Sequence, residues 1–172
     1  MADKQRTLKE AIKLAGIGLH TGEKVNIELC PAPENHGYKF QRIDVDGQPI
    51  IKADVDLVVA TDRRTTLEQN GVRVYTTEHV LAALYGMEVD NALIKIDGPE
   101  IPIMDGSSWL FIEAIEKVGI IEQEADRNYF ELTENIPWED PEKGTEFLAV
   151  PDQNYRITVM VGVGWPIVYW RR

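Results

Sequence analysis

A carboxylate and an imidazole stand side by side in Thr76-Thr77-Glu78-His79-Val80-Leu81-Ala82-Ala83-Leu84, at the head of an apolar, helix-forming run. Further along comes a loop punctuated by Pro and Gly, Asp97-Gly98-Pro99-Glu100-Ile101-Pro102-Ile103-Met104-Asp105-Gly106-Ser107. An adjacent Glu and His are what metal-assisted hydrolysis uses, with one residue holding the ion and the other moving a proton of its bound water. Against this, the chain has only 3 His and 1 Cys, which looks short of a full ligand set.

Each of these residues also has a purely structural reading. Glu78 falls in the first turn of the expected helix, where the dipole favours a carboxylate. A capping box does not account for it, because Thr76 finds His79 and Thr77 finds Val80 three residues on. His79 could pack half-buried beside Ala82 and Ala83. His20, flanked by Gly18 and Gly22, reads as a turn histidine able to reach a cleft, and His36 as a solvated turn residue. Asp105-Gly106-Ser107 reads as a turn followed by a Ser cap. Thr61-Asp62-Arg63-Arg64-Thr65-Thr66 offers hydroxyls and charge without a diagnostic spacing.

The elements that must position these groups follow from periodicity. Val25, Ile27 and Leu29 alternate with polar residues, a strand pattern. Tyr38 and Phe40 begin another strand, and Asp46-Gly47 and Asn70-Gly71 signal hairpin turns. A helix is expected from Thr77 to Tyr85, capped by Gly86, and a second from Ser107 to Val118, ended by Gly119. Ala92 to Ile96 is an apolar strand between them. Two helices among many strands give an α+β class, a two-layer domain with helices covering one sheet face. The charged segment Glu122 to Arg127 reads as a linker, which places a domain boundary there: residues 1–127 form the first domain and 128–172 the start of a second. In the latter, strands are expected at Tyr129 to Leu132, Glu146 to Val150 and Arg156 to Val161. The stretch Gly162 to Arg172, with Trp165, Pro166 and Trp170, follows neither a strand nor a helix period and reads as a native strand or an altered end.

Composition narrows the function. The chain has 172 residues, 44% of them hydrophobic, enough for a conventional core. No apolar run reaches the length of a membrane span, the polar start lacks a signal-peptide core, and Cys30 is alone. These features favour the cytoplasm. A net charge of -11 without a dense basic stretch argues against nucleic-acid binding.

Four segments in order carry a resemblance. They are Gly16-Ile17-Gly18-Leu19-His20-Thr21-Gly22-Glu23-Lys24-Val25, Thr76 to Leu84, Asp90-Asn91-Ala92, and Asp97 to Ser107. Together the chain resembles the zinc-dependent UDP-3-O-acyl-N-acetylglucosamine deacetylase family of lipid A biosynthesis, from about Lys4 to Ile121 and more loosely over 128–161. The resemblance implies two similar α+β domains with the active site between them. It implies that His79 is the first zinc ligand and Glu78 the general base. By the same likeness His20 and Asp105 lie near the active site, and Thr65 and Thr66 line the substrate cleft. Arg63-Arg64 depart from the apolar pair such a cleft would carry. The family's other ligands, a His and an Asp one helical turn apart, and its general-acid His lie in the second domain, which has no counterpart here after Gly162. The expectation is a truncated, inactive piece of a zinc deacetylase acting on a UDP-amino-sugar acyl substrate. The alternative is a non-catalytic α+β binding or oligomerisation module. Apolar side chains such as Leu81, Leu84, Trp109, Phe111 and Ile112 are expected to be partly uncovered, driving self-association with residues 128–172 exchanged, misplaced or mobile.

Overall fold

The computed structural model of the chain describes residues 3–161 and 168–171. It divides into two units, Met1–Arg127 and Asn128–Arg172. In the first, the strands run β1 (Lys4–Leu8), β2 (Ile12–Ile17), β3 (Lys24–Pro31), β4 (Tyr38–Arg42), β5 (Ile50–Lys52), β6 (Val58–Ala60), β7 (Thr66–Gln69) and β8 (Val72–Val74). Then follow α1 (Glu78–Gly86), β9 (Ala92–Ile96), α2 (Trp109–Val118) and β10 (Ile120–Asp126). The fold is α+β.

Alternation decides the main sheet. Val25, Ile27 and Leu29 of β3 are buried while the residues between them reach solvent. The sheet order is β2-β3-β9-β4-β5, antiparallel except that β4 and β9 run parallel. Its inward side chains Phe40, Ile51, Ile94 and Ile96 share one core with Val80, Ala83 and Leu84 of α1 and Phe111 and Ile115 of α2. Burying each such side chain contributes about 1.5–3 kcal/mol. The β7–β8 hairpin turns on Asn70 (φ 52) and Gly71 (φ 79). Positive φ at both central residues is what the tight two-residue turn needs, and Asn-Gly supplies it at least cost.

Several sequence-based expectations need correction. Leu84 and Phe111 are fully buried and Leu81 and Ile112 partly so, because α1 and α2 pack on each other and on the sheet. Trp109 does reach solvent, at 55% exposure, with its Nε1 donating to Glu113 at 2.9 Å. Gly86 ends α1 as a helical residue, and Glu88 (φ 56) takes the left-handed position instead. The supposed linker is β10, antiparallel to β1, with Leu8 opposite Ile120 and Lys4 opposite Asp126. Polar contacts hold it. Lys4 Nζ meets Asp126 Oδ1 at 2.7 Å, Gln123 Nε2 donates to the Ala32 carbonyl at 3.0 Å, and Gln123 Oε1 accepts from Asn91 Nδ2 at 2.8 Å.

In the second unit Tyr129 to Leu132 forms no strand. The strands there are β11 (Ile136–Asp140), β12 (Thr145–Ala149), β13 (Thr158–Val161) and β14 (Val168–Arg171), paired β11 with β12 and β13 with β14. Trp138 and Phe147 lie directly opposite, ring centroids 5.4 Å apart, a cross-strand aromatic pair. Of the unusual C-terminal stretch, residues 162–167 and 172 lie outside the described residues. Among the described residues no helix is long and apolar enough to cross a membrane.

Candidate active site

Glu78 and His79 open α1, both half-buried. Thr77 before them is fully buried but makes no side-chain cap to the helix; its backbone N–H reaches back to the Thr65 carbonyl at 3.4 Å. The Thr65 N–H in turn donates to Glu78 Oε2 at 3.0 Å. Thr65 is therefore a backbone donor to the carboxylate singled out by sequence. Thr66 begins β7 and is buried, 3% exposed. Of the neighbouring arginines, Arg63 sits at φ 59, and the Arg64 guanidinium stacks 4.3 Å over the Tyr75 ring, a cation–π contact.

The loop from Asp97 to Ser107 is tied to both sides of this site. Tyr75 N–H donates to the Pro99 carbonyl at 2.8 Å, Ile101 N–H to the Tyr75 carbonyl at 3.0 Å, and Ile103 N–H to the Ile17 carbonyl at 3.0 Å. Gly16 lets the loop come close, since a Cβ there would meet Pro102 Cβ at 2.8 Å. Asp105 is exposed and accepts from the Ser107 N–H (3.0 Å) and hydroxyl (2.9 Å). These bonds hold its carboxyl below the usual carboxylate range.

Glu100, quoted in the loop motif but given no role from sequence, anchors the assembly. It is 1% exposed. Its carboxylate accepts the His20 N–H (3.1 Å to each oxygen), the Thr21 N–H (2.8 Å) and the Thr76 hydroxyl (2.8 Å). Burial pushes its pKa up, but the Thr21 N–H and the Thr76 hydroxyl, with the Thr21 hydroxyl and His20 N–H, outweigh that and leave it below the ordinary value. Gly18 makes room, because a Cβ there would lie 2.5 Å from Glu100 Oε2. Thr76 sits at φ 58, a left-handed conformation that a β-branched residue rarely adopts and that costs about 1–3 kcal/mol. Signals for this cluster were present in the sequence: an acid between Pro99 and Ile101, and a glycine two residues before His20. His20 itself is exposed in its turn and joins the cluster through its backbone.

Among the described residues no three His, Cys, Asp or Glu side chains converge into a metal-holding group. A three-ligand zinc centre therefore does not fit this set of residues by itself.

The family model described as LpxC, UDP-3-O-acyl N-acetylglycosamine deacetylase, matches residues 5–168. The chain belongs to this deacetylase family. Its likeness to individual LpxC relatives is substantial. It is 45% identical over 165 residues to the bifunctional enzyme LpxC/FabZ of Bacteroides thetaiotaomicron, covering 96% of this chain and 36% of that protein. To the bifunctional enzyme of Chlorobaculum tepidum it is 49% identical over 157 residues, 91% of this chain and 34% of the other. To the UDP-3-O-acyl-N-acetylglucosamine deacetylase of Idiomarina loihiensis it is 43% identical over 166 residues, 96% of this chain and 54% of the other. The chain thus spans about half the length of the deacetylases it matches and about a third of the bifunctional LpxC/FabZ proteins. His20, Thr65, Thr66, Glu78, His79 and Asp105 all lie within the residues that match the LpxC family.

Proposed function

We propose that this chain contributes the Glu78–His79 half of a hydrolytic site that removes the N-acetyl group of UDP-3-O-acyl-N-acetylglucosamine in lipid A biosynthesis. The observation that carries the reading is the Glu78 carboxylate, fixed by the Thr65 N–H at the head of α1, beside His79. In the reaction a water oxygen attacks the acetamide carbonyl carbon and Glu78 accepts its proton. The C–N bond then breaks as the nitrogen takes up a proton, leaving acetate and a free amine. Zinc dependence belongs to the same proposal, with His79 as the residue this chain offers to the ion. The remaining ligands and the acid are assigned to the part of the family's length that this chain does not span, and no step through the ion is derived. Thr65, Thr66, His20 and Asp105 are proposed to border the substrate. The setting is cytoplasmic, where a lone Cys30 stays a thiol.

The test is acetate release from the UDP-3-O-acyl-N-acetylglucosamine substrate. Residues 1–172 with added zinc are expected to release none. A chimaera joining residues 1–127 to the remaining length of the Idiomarina loihiensis deacetylase is expected to turn over. Activity of residues 1–172 alone would refute the half-site, and a folded but inert chimaera would refute the assigned role.

Self-association is also proposed, for a different reason than the sequence suggested. Leu84 and Phe111 are buried in the first unit, and the proposal rests instead on large apolar side chains of the second that reach solvent: Phe130 (89% exposed), Phe147 (63%), Leu148 (64%) and Trp138 (53%). Light scattering on residues 1–172 is expected to show a dimer or larger species, and a Phe147→Ser, Leu148→Ser double variant to shift it toward monomer. A monomer for the unaltered chain at high concentration would rule this out.

A further inference from the structure

We propose that Glu100 is the positioning residue of the site: its carboxylate sets Thr76 in its left-handed conformation and thereby positions Glu78 and His79 at the head of α1. The inference rests on the role given above to the Glu78–His79 pair. A buried carboxylate needs partners, and those it has come from two segments remote in sequence. Two backbone N–H groups come from the turn between β2 and β3, and one hydroxyl from the residue two positions before Glu78. The loop that carries Glu100 also carries Asp105. One side chain therefore ties together three of the four segments in which the sequence placed chemistry, the exception being Thr65-Thr66.

The local geometry fits that role and not a general packing one. Gly18 leaves a space that any Cβ would take from the carboxylate. Thr76 is 1% exposed and its backbone is at φ 58, so its direction into α1 is not one the residue would choose unaided. Its hydroxyl has the Glu100 Oε1 acceptor at 2.8 Å. A carboxylate accepts all of these donors at once, whereas a carboxamide in its place would turn an NH2 toward one of them.

The test uses the ¹⁵N-labelled full chain, residues 1–172, with Glu100→Gln, Thr76→Val and Thr76→Ser. Thr76→Val keeps the shape and loses the hydroxyl, while Thr76→Ser keeps it. Glu100→Gln and Thr76→Val are expected to move the backbone resonances of Glu78 and His79 and the His79 ring signals, with Leu29 and Ile94 in the sheet unmoved. Thr76→Ser is expected to leave the pair in place. In the chimaera, the first two variants should lower kcat on the order of 10²-fold, the effect of a misplacement near 1 Å, with KM held. Unmoved Glu78 and His79 signals, or equal effects of Thr76→Val and Thr76→Ser, would overturn the proposal. If Glu100→Gln does not fold, the two Thr76 variants decide. A Glu78→Ala chimaera that keeps full turnover would instead refute the function of the pair, and the resonances would still decide the role of Glu100.

Discussion

Glu78→Ala, made in the chimaera, lowers deacetylase turnover about 10²–10⁴-fold while metal content stays near the unaltered level. The expectation follows from the division of labour proposed for two adjacent residues. Glu78 Oε2 accepts the backbone N–H of Thr65, and the proposal gives its carboxylate the proton transfer. Removing it takes away proton transfer and leaves His79 where it was, because the helix start is held by the Thr76–Glu100 and Thr77–Thr65 contacts rather than by Glu78. His79→Ala should lose turnover and bound zinc together. Metal analysis alongside steady-state kinetics separates the two. Near-normal turnover in the Glu78 variant, or full zinc in an inactive His79 variant, would show that the roles are wrongly divided.

Phe111→Ala should destabilise the first unit by about 3–5 kcal/mol, measured by urea unfolding of the full chain. Phe111 is fully buried at the seam of α2, α1 and the main sheet, so truncation leaves a cavity that the surrounding Ile, Leu and Val cannot easily fill. Natural domains are stable by only about 5–15 kcal/mol, so a loss of that size would remove a large part of the margin. The same substitution also asks whether the helix layer is covered from within. A cost below 1 kcal/mol would mean that Phe111 is loosely held, as the sequence alone suggested.

That contrast shows what the sequence could and could not convey. The helices, the Asn70-Gly71 turn and the adjacency of Glu78 and His79 were legible because each rests on local chemistry: a period, a pair of residues that tolerate positive φ, a shared peptide bond. The burial of Phe111 was not, since it depends on how two helices meet. β10 was hidden for a related reason. Glu122 to Arg127 has the composition of a solvated linker, and only its pairing with β1, remote in the chain, makes most of it a strand. Tyr129 to Leu132 erred in the other direction: its side chains are β-prone, yet the segment takes no strand conformation. Glu100 was missed because an acid between prolines and glycines looks like a surface turn. What distinguishes it, its hydrogen bonds to His20, Thr21 and Thr76, comes from residues 24 to 80 positions away in the chain.

The pairing of β1 with β10 places the first unit's opening and closing strands side by side, Lys4 against Asp126. A module whose ends leave from one edge can be spliced into a longer protein, or have its ends joined and be cut open elsewhere, without disturbing its interior. A circular permutant that links Lys4 to Asp126 and opens the exposed Asn70-Gly71 turn should therefore keep the main sheet, the helices and the Glu78–His79 geometry intact.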